Sequence, residues 1–179
     1  MRGKRSLFAL VVGSVLLLGG IQEVMAEFQF DIGINVPYVL GVKTEDDNVG
    51  DTLDYVFLVP DIKFNYLHPV GPVKLGGGVR LWTFIIQSLA YPILTAEAEL
   101  GRFVLNANAG GGLFMFFGLY NSLQTGAVFI PEVSAAYRLT PGFSVGTGLL
   151  LVFAPEAADI SSFGYMGTVF GRFTIRPSN

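Results

Sequence analysis

The sequence lacks cysteine altogether and carries little charge. Charged residues make up 14% of the 179 residues and hydrophobic residues 51%, whereas soluble domains have roughly 25% charged residues. The absence of cysteine excludes disulfide bonds and a lipid-modified cysteine. The scarcity of charge indicates that much of the protein surface faces something other than water.

The first 26 residues contain a long apolar run and have the three parts of a secretory leader. They begin with MRGKRS, continue with LFALVVGSVLLLGGI and end in VMA. The run is shorter than the ~20 apolar residues of a membrane-spanning helix, so a cleaved signal peptide over 1–26 is favoured over a transmembrane anchor. Its loss removes three basic residues and one acidic residue from a chain of net charge −3, which leaves −5. A chain this acidic argues against a nucleic-acid partner.

Beyond residue 26 no apolar stretch is long enough to cross a membrane as a helix, but apolar and polar residues alternate in eight segments. A period of two indicates strands whose two faces meet different surroundings. Export, hydrophobicity and alternation together predict an all-β fold over residues 27–179, an eight-stranded antiparallel up-and-down transmembrane β-barrel. The alternative is a soluble secreted barrel or sandwich, which would show more lysine and glutamate on its polar rows. The predicted strands are 28–40, 53–67, 73–85, 92–101, 104–117, 126–139, 143–153 and 163–176.

The predicted connections alternate between short and long. Short turns rich in proline and glycine fall at 68–72, 101–103 and 140–143, and longer connections fall at 42–54, 86–91, 118–125 and 154–162. Outer-membrane barrels have short periplasmic turns and longer external loops. The order therefore predicts that both chain termini lie in the periplasm.

Nearly all the charged residues of the predicted strands fall on one face, and partner rows such as Phe28-Phe30-Ile32-Ile34 contain none. Because hydrocarbon excludes charge, the charged face is predicted to be the lumen. Buried charges persist only when they are paired, and the near balance of the two signs favours a structural salt-bridge network over a catalytic site. Arg80 and Glu97 are the predicted pair between neighbouring strands. The predicted network is Asp61, Lys63, Lys74, Arg80, Glu97, Glu99, Glu132, Arg138 and Arg172, with Asp31 and Arg176 on the same rows.

Toward the longer connections, the inward rows become apolar. Trp82 is two residues beyond Arg80, so it is predicted to face the lumen, although tryptophan is also common at the lipid interface. Proline residues fall toward the same ends, where each removes a hydrogen-bond donor from the strand pairing. The candidate apolar pocket is Tyr55, Phe57, Trp82, Phe84, Phe114, Phe116 and Leu150.

Motifs for catalysis or metal binding are weak. The one histidine, His68, lies in the predicted turn HPVGP, where a turn position before proline explains it. The acidic segment TEDDNVGD (44–51) lacks the ligand spacing of an EF-hand loop and is interpreted as a solvated loop. The sequence therefore predicts a non-enzymatic monomer without metal or cofactor. An open pore is not predicted, because an eight-stranded barrel is just wide enough for its own side chains.

The whole pattern over 27–179 resembles the small bacterial outer-membrane β-barrel class, which includes outer membrane protein X, the outer membrane protein A barrel and the outer membrane protein W family. The resemblance implies a location in the outer membrane, with lipid as a partner. In the W family an outward-facing apolar pocket takes up small hydrophobic molecules and passes them sideways into the membrane. The predicted function is therefore binding or uptake of such molecules, and the alternative is a structural or adhesin-like protein that acts through acidic external loops.

Overall fold

The computed structural model describes residues 26–44, 47–54, 56–83, 87–118, 124–126, 128–153 and 163–177, and it is all β over these ranges. No helix of the described part is long and apolar enough to cross a membrane. The predicted signal peptide, apart from residue 26, lies outside these ranges. The strands are β1 (Glu27–Lys43), β2 (Asn48–Thr52), β3 (Val59–Val70), β4 (Val73–Thr83), β5 (Gln87–Leu100), β6 (Phe103–Gly111), β7 (Phe114–Gly118), β8 (Gln124–Gly126), β9 (Phe129–Thr140), β10 (Phe143–Val152) and β11 (Phe163–Ile175).

Eight of the described strands close into an antiparallel barrel. The ring runs β1, β3, β4, β5, β6, β9, β10, β11, and β11 pairs with β1 to close it. Each strand is therefore paired with the barrel strands before and after it in the chain. This confirms the predicted up-and-down barrel, in which closure leaves no unpaired edge.

The two ends of the barrel differ in their connections. Two-residue turns at 71–72, 101–102 and 141–142 lie at the same end as Glu27 and Ile175. We call this the turn end and the opposite one the loop end. Gly71 and Gly101 have φ angles of 62° and 66°, a left-handed conformation that glycine adopts without strain.

Several strand boundaries differ from the predicted ones. The sequence predicts a strand over 53–67 and a turn at 68–72, but β3 begins at Val59 and continues to Val70. It predicts a connection over 86–91, but β5 begins at Gln87. The segment 44–51 contains most of β2, which pairs with β1 beyond the ring. Strand boundaries are set by hydrogen-bond pairing with the neighbouring strand. The local amino-acid composition does not reveal where that pairing begins and ends.

The predicted strand 104–117 is two strands, β6 and β7, separated at residues 112–113. β6 pairs with β9, whereas β7 turns away to pair with β8, and both stay paired with β5. Gly111 and Gly112 make the break possible, because their φ angles of 109° and 81° are strained for other residues.

The outer surface of the barrel is apolar, with aromatic pairs near the turn end. Outward aromatic residues pack in cross-strand pairs with centroid distances of 4.9 Å (Phe28–Tyr66), 5.2 Å (Phe103–Tyr137) and 4.6 Å (Phe143–Phe173). All six residues lie near strand ends. Large outward side chains elsewhere on the strands, such as Ile32, Leu94 and Val133, are exposed as well. A surface of this kind suits hydrocarbon rather than water.

Candidate functional site

The lumen holds ionic side chains toward the turn end and apolar ones toward the loop end. Nearest the turn end is a ring of partly exposed ions, which we call the turn-end ion ring. Glu99 lies at its centre, 3.1 Å from Lys74 Nζ, 3.0 Å from Arg138 Nη1 and 2.9 Å from Arg176 Nη2. Lys74 also binds Glu27. Because these side chains are 21–31% exposed, their ion pairs are partly screened by water.

The predicted pair of Arg80 and Glu97 is wrong. Glu97 is paired with Arg176, whose Nη2 lies 3.1 Å from Glu97 Oε1. In the register between β4 and β5, Glu97 is opposite Lys74, and Arg80 is opposite Tyr91. The two predicted partners therefore lie in different layers of the lumen.

Arg80 instead belongs to a deeper cluster that we call the buried ion layer, made of Asp61, Lys63, Arg80, Glu132 and Arg172. Arg80 donates from Nε and Nη2 to the two carboxylate oxygens of Asp61, at 2.8 and 2.9 Å. It also binds Glu132, which reaches across the lumen from β9 and lies 3.6 Å from Lys63 Nζ. The side chains are no more than 7% exposed, so their charges depend on each other rather than on water.

Amide and hydroxyl side chains extend the buried ion layer. Asn108 Nδ2 donates to Glu132 Oε2 at 3.2 Å, and Thr95 Oγ1 donates to Asn108 Oδ1 at 2.9 Å. Asn106, two residues earlier on β6, donates to Glu97 at 3.2 Å. The alternating asparagines of the segment LNANAG therefore donate hydrogen bonds to lumen carboxylates. They lie two residues apart on β6, so both side chains face the lumen.

Beyond the buried ion layer, the lumen becomes apolar. Buried side chains from six barrel strands form one cluster there, with Phe57, Leu89, Phe114 and Val128 packed against it. The cluster is Val59, Trp82, Tyr91, Ile93, Ile130, Leu150 and Met166. Trp82 borders both regions, because the Arg80 guanidinium lies 4.6 Å from its ring centroid. Trp82 is 5% exposed, so it faces the lumen and not the lipid interface.

A cavity of about 310 Å³ lies in this apolar region, and we call it the loop-end cavity. Its inner wall is buried and includes Trp82, Tyr91 and Ile130. Its rim is open, since Leu40 is 47% and Val42 53% exposed. The lining is Leu40, Gly41, Val42, Trp82, Leu89, Tyr91, Ile130, Leu150, Val152, Gly164, Tyr165 and Met166.

Leu40 and Val42 line the cavity because β1 contains a bulge. Alternation counted from the start of β1 would place both side chains on the outer face. The pairing of β1 with β11 shifts between Pro37 and Val39, which inserts Tyr38 as an extra residue. After the bulge, Leu40 is opposite the buried Met166 and shares its face. Proline in a strand often marks a bulge, so Pro37 is the sequence signal that could have found these residues.

Tyr91 and Met166 are lining residues that the sequence analysis missed for simpler reasons. Tyr91 falls in the predicted connection 86–91, although it has the same parity as Glu97. Met166 has the same parity as Arg172. A second apolar cluster, Val104, Ala136 and Phe170, lies on inward rows next to the predicted charge network and was also missed. Each could be found by continuing the inward parity of its strand.

Other predicted pocket residues are only partly described. Tyr55 and Phe84 lie outside the described residues, and Phe116 lies on β7 without a described side chain. Phe57, Phe114 and Leu150 all belong to or pack against the apolar cluster. Whether this set binds a ligand stays a prediction. No group of three or more His, Cys, Asp or Glu residues in the described ranges is placed to hold a metal ion.

Comparison with known proteins gives similarities of structure only. No protein-family model matches the chain. No curated protein sequence matches it. The barrel is similar to Neisserial surface protein A (11% identity, 82% of this chain and 96% of the other, TM-score 0.46) and to Ail, the attachment invasion locus protein of Yersinia pestis (11%, 85% and 100%, 0.44). It is also similar to the N-terminal β-barrel domain of Pseudomonas aeruginosa OprF (11%, 81% and 97%, 0.46). Identities and TM-scores this low carry no information about ligand or partner.

Proposed function

We propose that this protein is an integral outer-membrane barrel without enzymatic activity that binds small hydrophobic molecules in the loop-end cavity. The observation that carries the proposal is the cavity itself, which combines a buried apolar wall with an exposed rim. A buried wall excludes water from a bound molecule, and an exposed rim gives it a route of entry. Burial of apolar surface then supplies the binding free energy.

The outer surface supports the membrane location. Apart from Lys43 at the loop end of β1, the charged side chains of the described barrel strands face the lumen, and the outward rows are apolar. The three aromatic pairs near the turn end match the belt that barrels place at the membrane interface. A water-soluble barrel would carry the opposite arrangement.

The size and chemistry of the cavity limit its ligand. Its volume of about 310 Å³ is near the lower end of the roughly 300–1,000 Å³ of ligand sites, so it suits a molecule of one or two rings or a short chain. No charged side chain is among its described lining residues. Tyr165 is one of them, but its hydroxyl donates to Asn48 Oδ1 at 3.2 Å. Among the described lining residues no nucleophile lies beside a base, and nucleophilic catalysis requires such a pair.

Trp82 allows a direct test, because it is the only tryptophan of the chain and lines the cavity. Bromobenzene carries a heavy atom that quenches indole fluorescence on contact. The expected result is saturable quenching of Trp82 by bromobenzene in the refolded barrel. Quenching that rises linearly with concentration and never saturates would count against the proposal.

Two neighbouring leucines provide a matched pair of variants. Leu150→Phe fills the cavity, whereas Leu149→Phe changes the outer face, where Leu149 is 44% exposed. Leu150→Phe is expected to weaken bromobenzene binding by about tenfold, equivalent to about 1.4 kcal/mol, and Leu149→Phe to leave it unchanged. Equal effects of the two variants would contradict a site in the lumen.

A second function, surface interaction, is favoured by one observation. β2 lies off the barrel ring, its one partner among the described strands is β1, and all five of its residues are exposed. Deletion of 44–51 separates the two functions. It is expected to leave quenching by bromobenzene intact, while an adhesin would lose binding to its partner.

A further inference from the structure

The buried wall of the loop-end cavity carries two kinds of apolar side chain. Ile130 and Leu150 are saturated hydrocarbon. Trp82 and Tyr91 present aromatic rings, and Met166 presents a thioether. All five are buried, with exposed fractions of 3–7%. Aromatic rings and thioethers attract another aromatic ring by more than the burial of its surface, so this wall has the means to distinguish an aromatic ligand from a saturated one.

The rings and the thioether approach the cavity from different walls of the barrel. Trp82 on β4 is opposite Leu89 on β5, so Tyr91, two residues along β5, is a diagonal neighbour of Trp82. Met166 lies on β11, and β11 faces β5 across the ring of barrel strands. All three side chains belong to one buried cluster. A molecule in the cavity thus has aromatic rings on one side and the sulfur atom on the other.

The indole of Trp82 is held in place from the side of the buried ion layer. The Arg80 guanidinium lies 4.6 Å from the ring centroid. Arg80 is fixed in turn by two hydrogen bonds to Asp61, at 2.8 and 2.9 Å. Rotation of the indole would break its contact with a buried cation, so the ring keeps one orientation toward the cavity.

The phenol ring of Tyr91 is held by the absence of a side chain at Gly110. A Cβ atom placed on Gly110 would lie 2.5 Å from Cε2 and 2.9 Å from Cδ2 of Tyr91. Gly110 is on β6, which pairs with β5, so the ring packs directly on the backbone of the neighbouring strand. Neither ring has to be ordered when a ligand arrives, and binding therefore costs less conformational entropy.

We propose that the loop-end cavity selects small aromatic molecules over saturated molecules of the same size, through the rings of Trp82 and Tyr91 and the thioether of Met166. Such selection rests on the proposed function, because it requires a ligand in the cavity. An aromatic ligand packs against the two rings in an offset or edge-to-face arrangement, and the Met166 sulfur contacts it from the opposite wall. A saturated ring of equal size buries as much apolar surface, so burial alone gives no preference.

Bromobenzene and bromocyclohexane form a matched pair of probes, because they differ in whether the ring is aromatic and both carry the heavy atom that quenches Trp82. Each is titrated into the refolded barrel at known free aqueous concentration. Its partition from water into hexadecane is measured separately and divided out of the affinity, which removes differences in hydration. Bromobenzene is then expected to bind at least about threefold more tightly, because it gains contacts with the rings and the sulfur that bromocyclohexane lacks.

Two methionines provide matched variants. Met166→Leu replaces the thioether by a hydrocarbon side chain of similar volume, and Met115→Leu makes the same change on the outer face, where Met115 is 48% exposed. Met166→Leu is expected to lower the preference for bromobenzene by about twofold, whereas Met115→Leu leaves it unchanged. Tyr91→Leu removes a ring and is expected to lower the preference as well. If Tyr91→Leu does not fold, the two methionine variants suffice.

Three results would overturn the proposal. Equal affinities of the two probes, or tighter binding of bromocyclohexane, would show that the cavity binds by burial alone, and the proposed function would stand. A preference that is unchanged in Met166→Leu, or lowered equally in Met115→Leu, would contradict selection by the thioether. Quenching that saturates with neither probe would overturn the proposed function and the selectivity together.

Discussion

The buried ion layer and the loop-end cavity occupy the same lumen and are built on the same inward parity, yet one is filled and the other has space. In the ion layer, long side chains such as Arg80 and Glu132 cross the lumen to reach partners of opposite charge. In the cavity, shorter side chains such as Leu150 and Ile130 have no distant partner to reach. The polarity of the side chains thus determines how completely they fill the lumen. Buried charged groups require direct contact with a group of opposite charge, whereas buried apolar groups require only that water is excluded.

The largest effect is expected from Glu132→Gln in the ion layer. The substitution keeps the shape of Glu132 but removes the negative charge that faces both Arg80 and Lys63. Loss of one member of a buried ion cluster leaves the others uncompensated, at a cost of about 3 kcal/mol. Urea unfolding in lipid vesicles, followed by Trp82 fluorescence, measures this loss.

A change below about 1 kcal/mol would contradict the view that the ion layer is sealed from water. Replacement of the charges by apolar groups sharpens the test. The double variant Arg80→Met with Glu132→Met is expected to be more stable than Glu132→Gln alone, because no buried cation loses its partner there.

The border between the two regions is expected to show the second largest effect. Trp82 lies over Arg80 on one side and lines the cavity on the other. Trp82→Leu removes the aromatic ring from a desolvated cation and is expected to cost about 2 kcal/mol. Trp82→Phe keeps a ring and should cost less. The temperature at which the folded band on a gel disappears reports both.

For a chain of this size, each kcal/mol lost from the free energy of unfolding lowers the melting temperature by roughly 2–4 °C. Equal losses for Trp82→Leu and Trp82→Phe would show that the volume of the side chain matters there, and not its contact with Arg80.

The sequence predicts the fold well because lipid imposes a strict rule. A charge on the outer face would be very costly, so charged residues such as Arg80 and Glu132 must face the lumen. Because side chains alternate along a strand, each such residue shows which of its neighbours face the lumen and which face lipid. Parity predicts that Trp82 faces inward, and the structure places it there. The rule fails at Tyr38, where one extra residue reverses the two faces of β1.

Partners across the lumen are much harder to predict than directions. Arg80 and Glu97 can be opposite each other only if the connection between their strands is centred near residue 88. Thr83 is paired with Ser88, so the true centre lies between residues 85 and 86. An error of about three residues in the centre shifts every partner by about six. The contact of Arg80 with Glu132 also depends on the curvature of the whole barrel, which no local pattern contains.

A smaller effect is expected at the turn-end ion ring. Glu99→Gln removes a carboxylate that faces Lys74, Arg138 and Arg176, so it breaks more ion pairs than Glu132→Gln does. Glu99 is 27% exposed, however, and exposed pairs contribute roughly 0–1 kcal/mol each. We expect a loss of about 1 kcal/mol, measured by the same urea unfolding and reduced further in high salt. A loss as large as that of Glu132→Gln would mean that exposure does not separate the two layers.

The smallest effect is a coupling close to zero between Arg80 and Glu97. Arg80 binds Asp61 and Glu132, whereas Glu97 binds Arg176 and accepts from Gln29 and Asn106. Since these sets share no member, the unfolding free energies of Arg80→Lys and Glu97→Gln should add within about 0.5 kcal/mol in the double variant. The matched cycle pairs Arg80→Lys with Asp61→Asn, which removes a partner joined by two hydrogen bonds, and its coupling is expected to lie in the range of about 0.5–3 kcal/mol. Both cycles use substitutions that keep the size of the side chain, so packing changes affect them alike. A large coupling in the first cycle would connect the two ionic layers into one network. A small coupling in the second would mean that the bidentate contact of Arg80 with Asp61 contributes little to the stability of the barrel.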